Sequence, residues 1–129
     1  MYDSNPIIRA EINKWLFWEG SQWQPLLINI LGDCVGHKLL PDIFPAPQQK
    51  PNWHHDQATK TFSYLENHLS SRTWLVNERI TLADYAVSGM ATYFNVARFP
   101  FKTYPNISAW NDRISNDFAW KETLHPIWS

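Results

Sequence analysis

The chain has 129 residues, of which 44% are hydrophobic, and its formal net charge is −1. This length fits one domain whose core needs no disulfide or metal, and a charge this small excludes electrostatic attraction to nucleic acid or to an anionic membrane. Cys34 is the one cysteine, so an internal disulfide is excluded and a reducing, cytoplasmic location is expected. No apolar run approaches the roughly 20 residues that span a membrane, and the first residues lack the features of a signal peptide.

Aromatic residues are more frequent than a small core requires. They make up 16% of the chain and include eight tryptophans. Large aromatic side chains are favoured where a protein surface meets another surface or a ligand. The composition therefore predicts that part of the apolar surface contacts something outside this chain.

The first predicted helix begins at Pro6, which follows three polar residues suited to capping a helix start. Apolar residues then recur at helical spacing as far as Leu39 or Leu40. One stripe contains Ile8, Ile12, Leu16, Trp23, Leu27 and Ile30 or Leu31, and a second contains Trp15, Trp18 and Leu26. Because covering one core needs one stripe, the second predicts a second contact partner. Pro25 predicts a kink near residues 21–25, since it cannot donate the helical hydrogen bond.

The rest of the chain alternates loops and helices. Residues 41–51 are a proline-rich loop, and a second helix is predicted over about 52–69. A third, over about 82–97, is apolar on most sides and rich in small residues, as expected for a helix at the centre of a bundle. A fourth begins near Pro105, and a short one runs from 117 or 118 to 124. The predicted fold is all-α, with five or six helices.

The start of the third helix carries the strongest local signal in the sequence. Thr81 can accept a hydrogen bond from the backbone N–H three residues on, and Asp84 can reach back to the N–H of Thr81. Asp84 also lies in the first turn, where the helix dipole favours a negative charge. This capping box predicts a structural role and no chemistry.

No catalytic or metal-binding arrangement is recognisable in the sequence. His54, His55 and Asp56 resemble a metal-binding fragment, but adjacent helical residues point about 100° apart, and no ligand-type residue follows at the spacing of one turn. A solvated helix start is the better interpretation of these three residues. No serine or cysteine nucleophile stands in a triad-like pattern, and no glycine-rich phosphate loop occurs.

Glu19 is the most informative polar residue, because it lies among the aromatic stripes of the first helix. A carboxylate in such surroundings is destabilising unless it meets a donor or a positive charge. Two interpretations remain open. Either Glu19 is simply exposed to water, or a partner or cationic ligand group from outside the chain pairs with it.

Three segments carry a resemblance to a known family. They are residues 9–19, residues 74–85 with the capping box, and residues 104–114 followed by Ala119-Trp120. In this order, they resemble the first helix, the entry to the buried central helix and the closing helices of the C-terminal domain of cytosolic, bacterial-type glutathione transferases. The resemblance covers nearly the full chain and implies one domain, 1–129, folded as an orthogonal bundle of five to six helices.

The resemblance also implies a function. In the family an N-terminal thioredoxin-like domain binds glutathione, the co-substrate, and supplies the activating residue. That domain is expected upstream of Met1 in a longer protein, so the chain alone is expected to have no catalytic residue, no bound cofactor and no activity. A homodimer and a hydrophobic small-molecule substrate are the implied partners of the longer protein.

The site residues implied by the resemblance lie on the first helix. Trp15, Trp18, Gln22 and Trp23 are the expected substrate-binding residues, and Glu19 is similar to an acidic residue near the amino end of glutathione. The alternative is a non-catalytic protein-interaction module, since similar helical domains occur in translation factors and synthetase complexes.

Overall fold

A computed structural model describes residues 4–46, 52–91, 94 and 97–117. These residues form five α-helices and no strand: α1 (Pro6–Trp18), α2 (Gln24–Leu39), α3 (Asp56–His68), α4 (Leu82–Ala91) and α5 (Pro105–Ser115). A π-helical segment, Glu19–Trp23, joins α1 to α2, and a 3₁₀ turn, Leu69–Ser71, follows α3. The all-α prediction is confirmed, whereas the short last helix predicted up to residue 124 lies outside the described residues.

The first half of the chain is one helical run with a distortion at its middle. Asn5 caps its start, where the side-chain oxygen accepts a hydrogen bond from the Ile7 N–H at 2.9 Å. At the distortion the Gln24 N–H donates to the Glu19 carbonyl, five residues back. Pro25 follows directly and has no N–H of its own to donate. The kink predicted near residues 21–25 corresponds in the structure to a π-helical segment at Glu19–Trp23.

Helix α4 occupies the centre of the bundle, where it contacts α1, the π-helical segment and α5. Its buried residues are Ala83, Asp84, Val87, Ser88 and Ala91. Because most of these side chains are small, the neighbouring helices can approach closely. The prediction of a buried central helix that starts at Leu82 is confirmed.

The C-terminal end of α4 differs from the prediction, because the helix ends at Ala91 and not near residue 97. The Phe94 N–H donates to the Ala91 carbonyl at 3.1 Å, and the Phe99 N–H donates to the Phe94 carbonyl at 2.9 Å. Arg98 lies between them with φ of 58°, a left-handed conformation that continues no helix. Phe94 and Ala97 are therefore buried residues of a turn and do not belong to α4.

Much of the core is aromatic. Phe94 stacks on Phe99 with ring centroids 4.1 Å apart, and Trp53 meets Phe99 edge-on at 5.1 Å. The Trp53 indole N–H donates to the Ala97 carbonyl at 3.1 Å. Four of the six tryptophans in the described residues are buried: Trp15, Trp23, Trp53 and Trp110. Most of the described tryptophans therefore stabilise the core, and only Trp18 and Trp74 retain surface for outside contacts.

Candidate functional site

An open groove of about 430 Å³ lies between α3 and the junction of α1 with the π-helical segment. It is lined by Trp18, Gln22, Gln57, Lys60, Thr61 and Tyr64. A volume of this size falls in the range of small-molecule sites. Two of its residues, Trp18 and Gln22, are among those that the resemblance assigns to substrate binding.

The aromatic wall of the groove is held by the core behind it. The rings of Trp18 and Tyr64 lie 5.8 Å apart at a tilt of 38°. Behind them, Trp15 meets the Trp18 ring edge-on with centroids 5.2 Å apart, and Trp23 stacks on the Trp18 ring, also at 5.2 Å. These contacts restrict the Trp18 side chain, so it presents a defined surface to a ligand.

Trp15 and Trp23 have no exposed surface of their own. The Trp23 indole N–H donates to the Val87 carbonyl of α4 at 2.9 Å. The Trp15 indole N–H is buried without a hydrogen-bond partner among the described residues. In this structure, therefore, Trp18 and Gln22 line the groove directly, whereas Trp15 and Trp23 support it from the core.

The α3 side of the groove is not among the residues that the sequence indicates. Gln57 lies three and four residues before the adjacent pair Lys60 and Thr61, and Tyr64 lies four and three residues after that pair, which places all four on one face of α3. Thr61 forms the buried floor and accepts a hydrogen bond from the Gln57 amide at 3.3 Å. The spacing is visible in the sequence, but it does not show which face of α3 meets α1.

Glu19 lies next to Trp18 at the start of the π-helical segment, outside the groove lining. Its side chain is half-buried, and burial raises the pKa of the Glu19 carboxyl. Within the described residues no side chain donates a hydrogen bond to this carboxylate or forms an ion pair with it. An unpaired, partly desolvated carboxylate can accept a hydrogen bond from a cationic or N–H group of another molecule.

The hydrogen bonds of the capping box are all made within the chain, and they reach residues outside α4. Asp84 accepts hydrogen bonds from the Thr81 N–H, the Leu75 N–H and the Trp110 indole N–H, each at 2.9 Å. Burial raises the pKa of the Asp84 carboxyl, and these hydrogen bonds oppose that shift. Thr81 departs from the prediction, since its hydroxyl accepts from the Ala83 N–H at 3.3 Å, two residues on and not three.

The histidine fragment before α3 forms a helix cap. The His55 Nδ1 accepts a hydrogen bond from the Ala58 N–H at 3.2 Å, and Asp56 opens the first turn. The preference for a helix start is confirmed. Within the described residues no group of three or more histidine, cysteine or acidic side chains is placed to hold a metal ion.

The domain is thus a helical bundle built around a capped, buried central helix, with a groove beside its first long helix. The family "Glutathione S-transferase, C-terminal domain" matches residues 30–117 of the chain. The chain therefore belongs to the family of glutathione S-transferase C-terminal domains.

Individual relatives agree with this assignment. The chain is 26% identical over 119 residues to glutathione S-transferase F9 from Arabidopsis thaliana. This match covers 90% of the chain and 54% of the relative. It is 27% identical over 127 residues to elongation factor 1-gamma from Danio rerio, covering 96% of this chain and 27% of that protein.

Solved structures show the same fold. Glutathione transferase F2 from Populus trichocarpa matches with a TM-score of 0.74 at 24% identity, over 94% of this chain and 57% of that one. A possible glutathione S-transferase from Rhodopseudomonas palustris matches with a TM-score of 0.70 at 21% identity, over 90% of this chain and 51% of that one. The chain thus spans about half the length of the transferases it matches. Among the described residues, no helix has the length and apolar character needed to cross a membrane.

Proposed function

We propose that this chain is the co-substrate-binding half of a glutathione transferase. In this function a thioredoxin-like domain of the longer protein binds glutathione and lowers the pKa of its thiol, and the thiolate then attacks a hydrophobic electrophile. The helical domain holds the electrophile by burying it in the groove. A cytoplasmic detoxification enzyme that acts as a homodimer is the expected setting.

The observation that carries this proposal is the groove beside Glu19. Trp18 and Tyr64 offer apolar surface for a co-substrate, and Glu19, which follows Trp18 in the chain, has a carboxylate without a partner among the described residues. An amino group is the natural complement of that carboxylate, and glutathione has one at its glutamyl end. The two ligands of a conjugation reaction would then meet at this edge of the domain.

The separate roles of the helical domain and the thioredoxin-like domain can be tested by measuring conjugation activity. The 129-residue chain alone should not conjugate glutathione to an aryl halide above the uncatalysed rate. In the longer protein, Trp18→Ala should raise the KM for the electrophile, and Glu19→Ala should raise the KM for glutathione. Phe17→Ala is the matched control, because the Phe17 ring is 76% exposed and does not line the groove. Conjugation by the chain alone would contradict the proposal.

The second candidate is a protein-interaction module without catalysis. The match to elongation factor 1-gamma, which covers 96% of this chain, favours it. The gene sequence upstream of Met1 distinguishes the two functions. A thioredoxin-like βαβ pattern with a serine, tyrosine or cysteine after its first strand supports the transferase. An unrelated neighbouring domain supports the interaction module.

A further inference from the structure

The two ends of the groove differ in chemistry. Trp15 lies against His68 and Trp18 against Tyr64, so α1 and α3 run antiparallel along the groove. One helical turn beyond Trp18 comes Gln22, and one turn before Tyr64 comes Lys60. The aromatic rings therefore line one end, and the amide and ammonium groups line the other.

Among the residues that the structure describes, Lys60 is the one charged side chain that lines the groove. It is exposed, and no carboxylate of the described residues lies within ion-pair distance of it. Glu19 is not its counter-ion, since no ion pair joins the two side chains. The positive charge at this end of the groove is therefore available to a ligand.

We infer that the groove binds a planar aromatic molecule that carries a negatively charged group, such as an aryl carboxylate. The ring lies against Trp18 and Tyr64, and the anionic group lies at the Lys60 ammonium with the Gln22 and Gln57 amides beside it. This inference rests on the proposed function in one respect, because it names the class of co-substrate. An exposed ion pair strengthens binding modestly, here by about threefold to fivefold.

A pair of ligands with the same shape tests the role of charge. The 129-residue chain is titrated by calorimetry with 2-naphthoate and with the neutral 2-naphthamide, at about 0.02 M and about 0.5 M salt. At low salt 2-naphthoate should bind about threefold to fivefold more tightly than the amide. High salt should shrink the difference, because it screens the ion pair.

Charge variants locate the preference in the groove. Lys60→Gln should abolish the difference between the two ligands, whereas Lys60→Arg should retain it. Lys38→Gln, an equal change in net charge at an exposed position of α2, should also retain it. Trp18→Leu should weaken both ligands.

Three outcomes would overturn the inference: equal binding of the two ligands, a preference that survives in Lys60→Gln, or no binding of either. The titration involves neither glutathione nor turnover. If the chain shows the charge preference but the longer protein does not conjugate glutathione, the proposed function is wrong and the inferred site is supported. If the longer protein conjugates glutathione but the chain shows no charge preference, the inferred site is wrong and the proposed function is supported.

Discussion

Two carboxylates in this domain have a raised pKa for the same reason, yet their surroundings differ. Burial raises the pKa of both Asp84 and Glu19. Asp84 is fully buried and accepts hydrogen bonds from three N–H groups that belong to three parts of the chain. Glu19 is half-buried and has no such donor among the described residues.

The difference separates folding from recognition. The Asp84 carboxylate accepts all of its hydrogen bonds from groups of this chain. These bonds stabilise the fold and leave no acceptor for a ligand. The groove and the neighbouring Glu19 have a carboxylate and, at Lys60, an ammonium group that are unpaired within the described part of the chain. Such groups stabilise little by themselves and become favourable when another molecule complements them.

Loss of the Asp84 carboxylate should have the largest effect on stability. Asp84→Ala leaves the N–H groups of Leu75, Thr81 and Trp110 without their acceptor, and each buried, unpaired donor costs about 1–3 kcal/mol. Urea unfolding followed by circular dichroism should show a loss of at least about 3 kcal/mol. Asp84→Asn keeps the shape and one acceptor, so it should fall between the alanine variant and the wild type. A loss below about 1 kcal/mol in Asp84→Ala would remove the distinction between the two regions.

His68 connects the two regions and should make stability depend on pH. Its Nε2 donates to the Leu75 carbonyl at 2.7 Å, while the Leu75 N–H donates to Asp84, and its ring lies 4.6 Å from that of Trp15. Burial lowers the pKa of His68, and the charges of Arg72 and Lys14 act in the same direction.

A lowered pKa means that the unfolded chain binds the proton more readily than the folded one. The stabilisation is therefore complete above the ordinary histidine pKa of about 6.5, and it is lost as the pH falls through the pKa of the folded state. Urea unfolding between about pH 7.5 and pH 5 should show this decline, and His68→Gln should flatten it. His54→Gln removes an exposed histidine and serves as the control. An unchanged slope in His68→Gln would disprove the connection.

The features that the sequence predicts correctly are those set by backbone chemistry within one or two turns. The helix starts at Pro6 and Pro105, the distortion near Pro25 and the capping box follow from proline geometry and local hydrogen bonding. The end of α4 is missed because the stop signal visible in the sequence is Phe99-Pro100, whereas the helix ends at Ala91.

The features that the sequence did not predict are contacts between distant residues. Glu66 accepts hydrogen bonds from the N–H groups of Asn106 and Ile107 at 3.0 and 2.9 Å, and so caps α5 from another helix. The α3 side of the groove also depends on a contact between distant residues. Lys60 occupies the polar face of an amphipathic helix, and only tertiary packing shows that this face borders Trp18.

Neutralising Glu19 should have the opposite effect on stability from neutralising Asp84, because no N–H donor within the described residues depends on the Glu19 carboxylate. Because burial raises the Glu19 pKa, the folded state binds the proton more tightly than the unfolded chain. Stability contributed by the protonated form is full below the ordinary glutamate pKa of about 4.3 and is lost as the pH rises through the folded value. Glu19→Gln should therefore be equal to or slightly more stable than the wild type at pH 7 by urea unfolding. A clear loss of stability would mean that a donor within the chain pairs with Glu19.

The smallest expected effect concerns Gly20, in the π-helical segment beside the groove. A Cβ atom added at Gly20 would meet nothing within 4 Å, and Gly20 does not have positive φ. Gly20→Ala should therefore stabilise the chain by about 0.5–1 kcal/mol, since alanine loses less backbone entropy on folding. At Gly36 a Cβ would lie 3.1 Å from the Phe44 ring, so Gly36→Ala should gain less or lose stability. A gain at Gly20 with unchanged affinity for the aryl carboxylate would show that the groove region is not optimised for stability, in contrast to the Asp84 region. A loss at Gly20 would instead show that the π turn itself requires glycine.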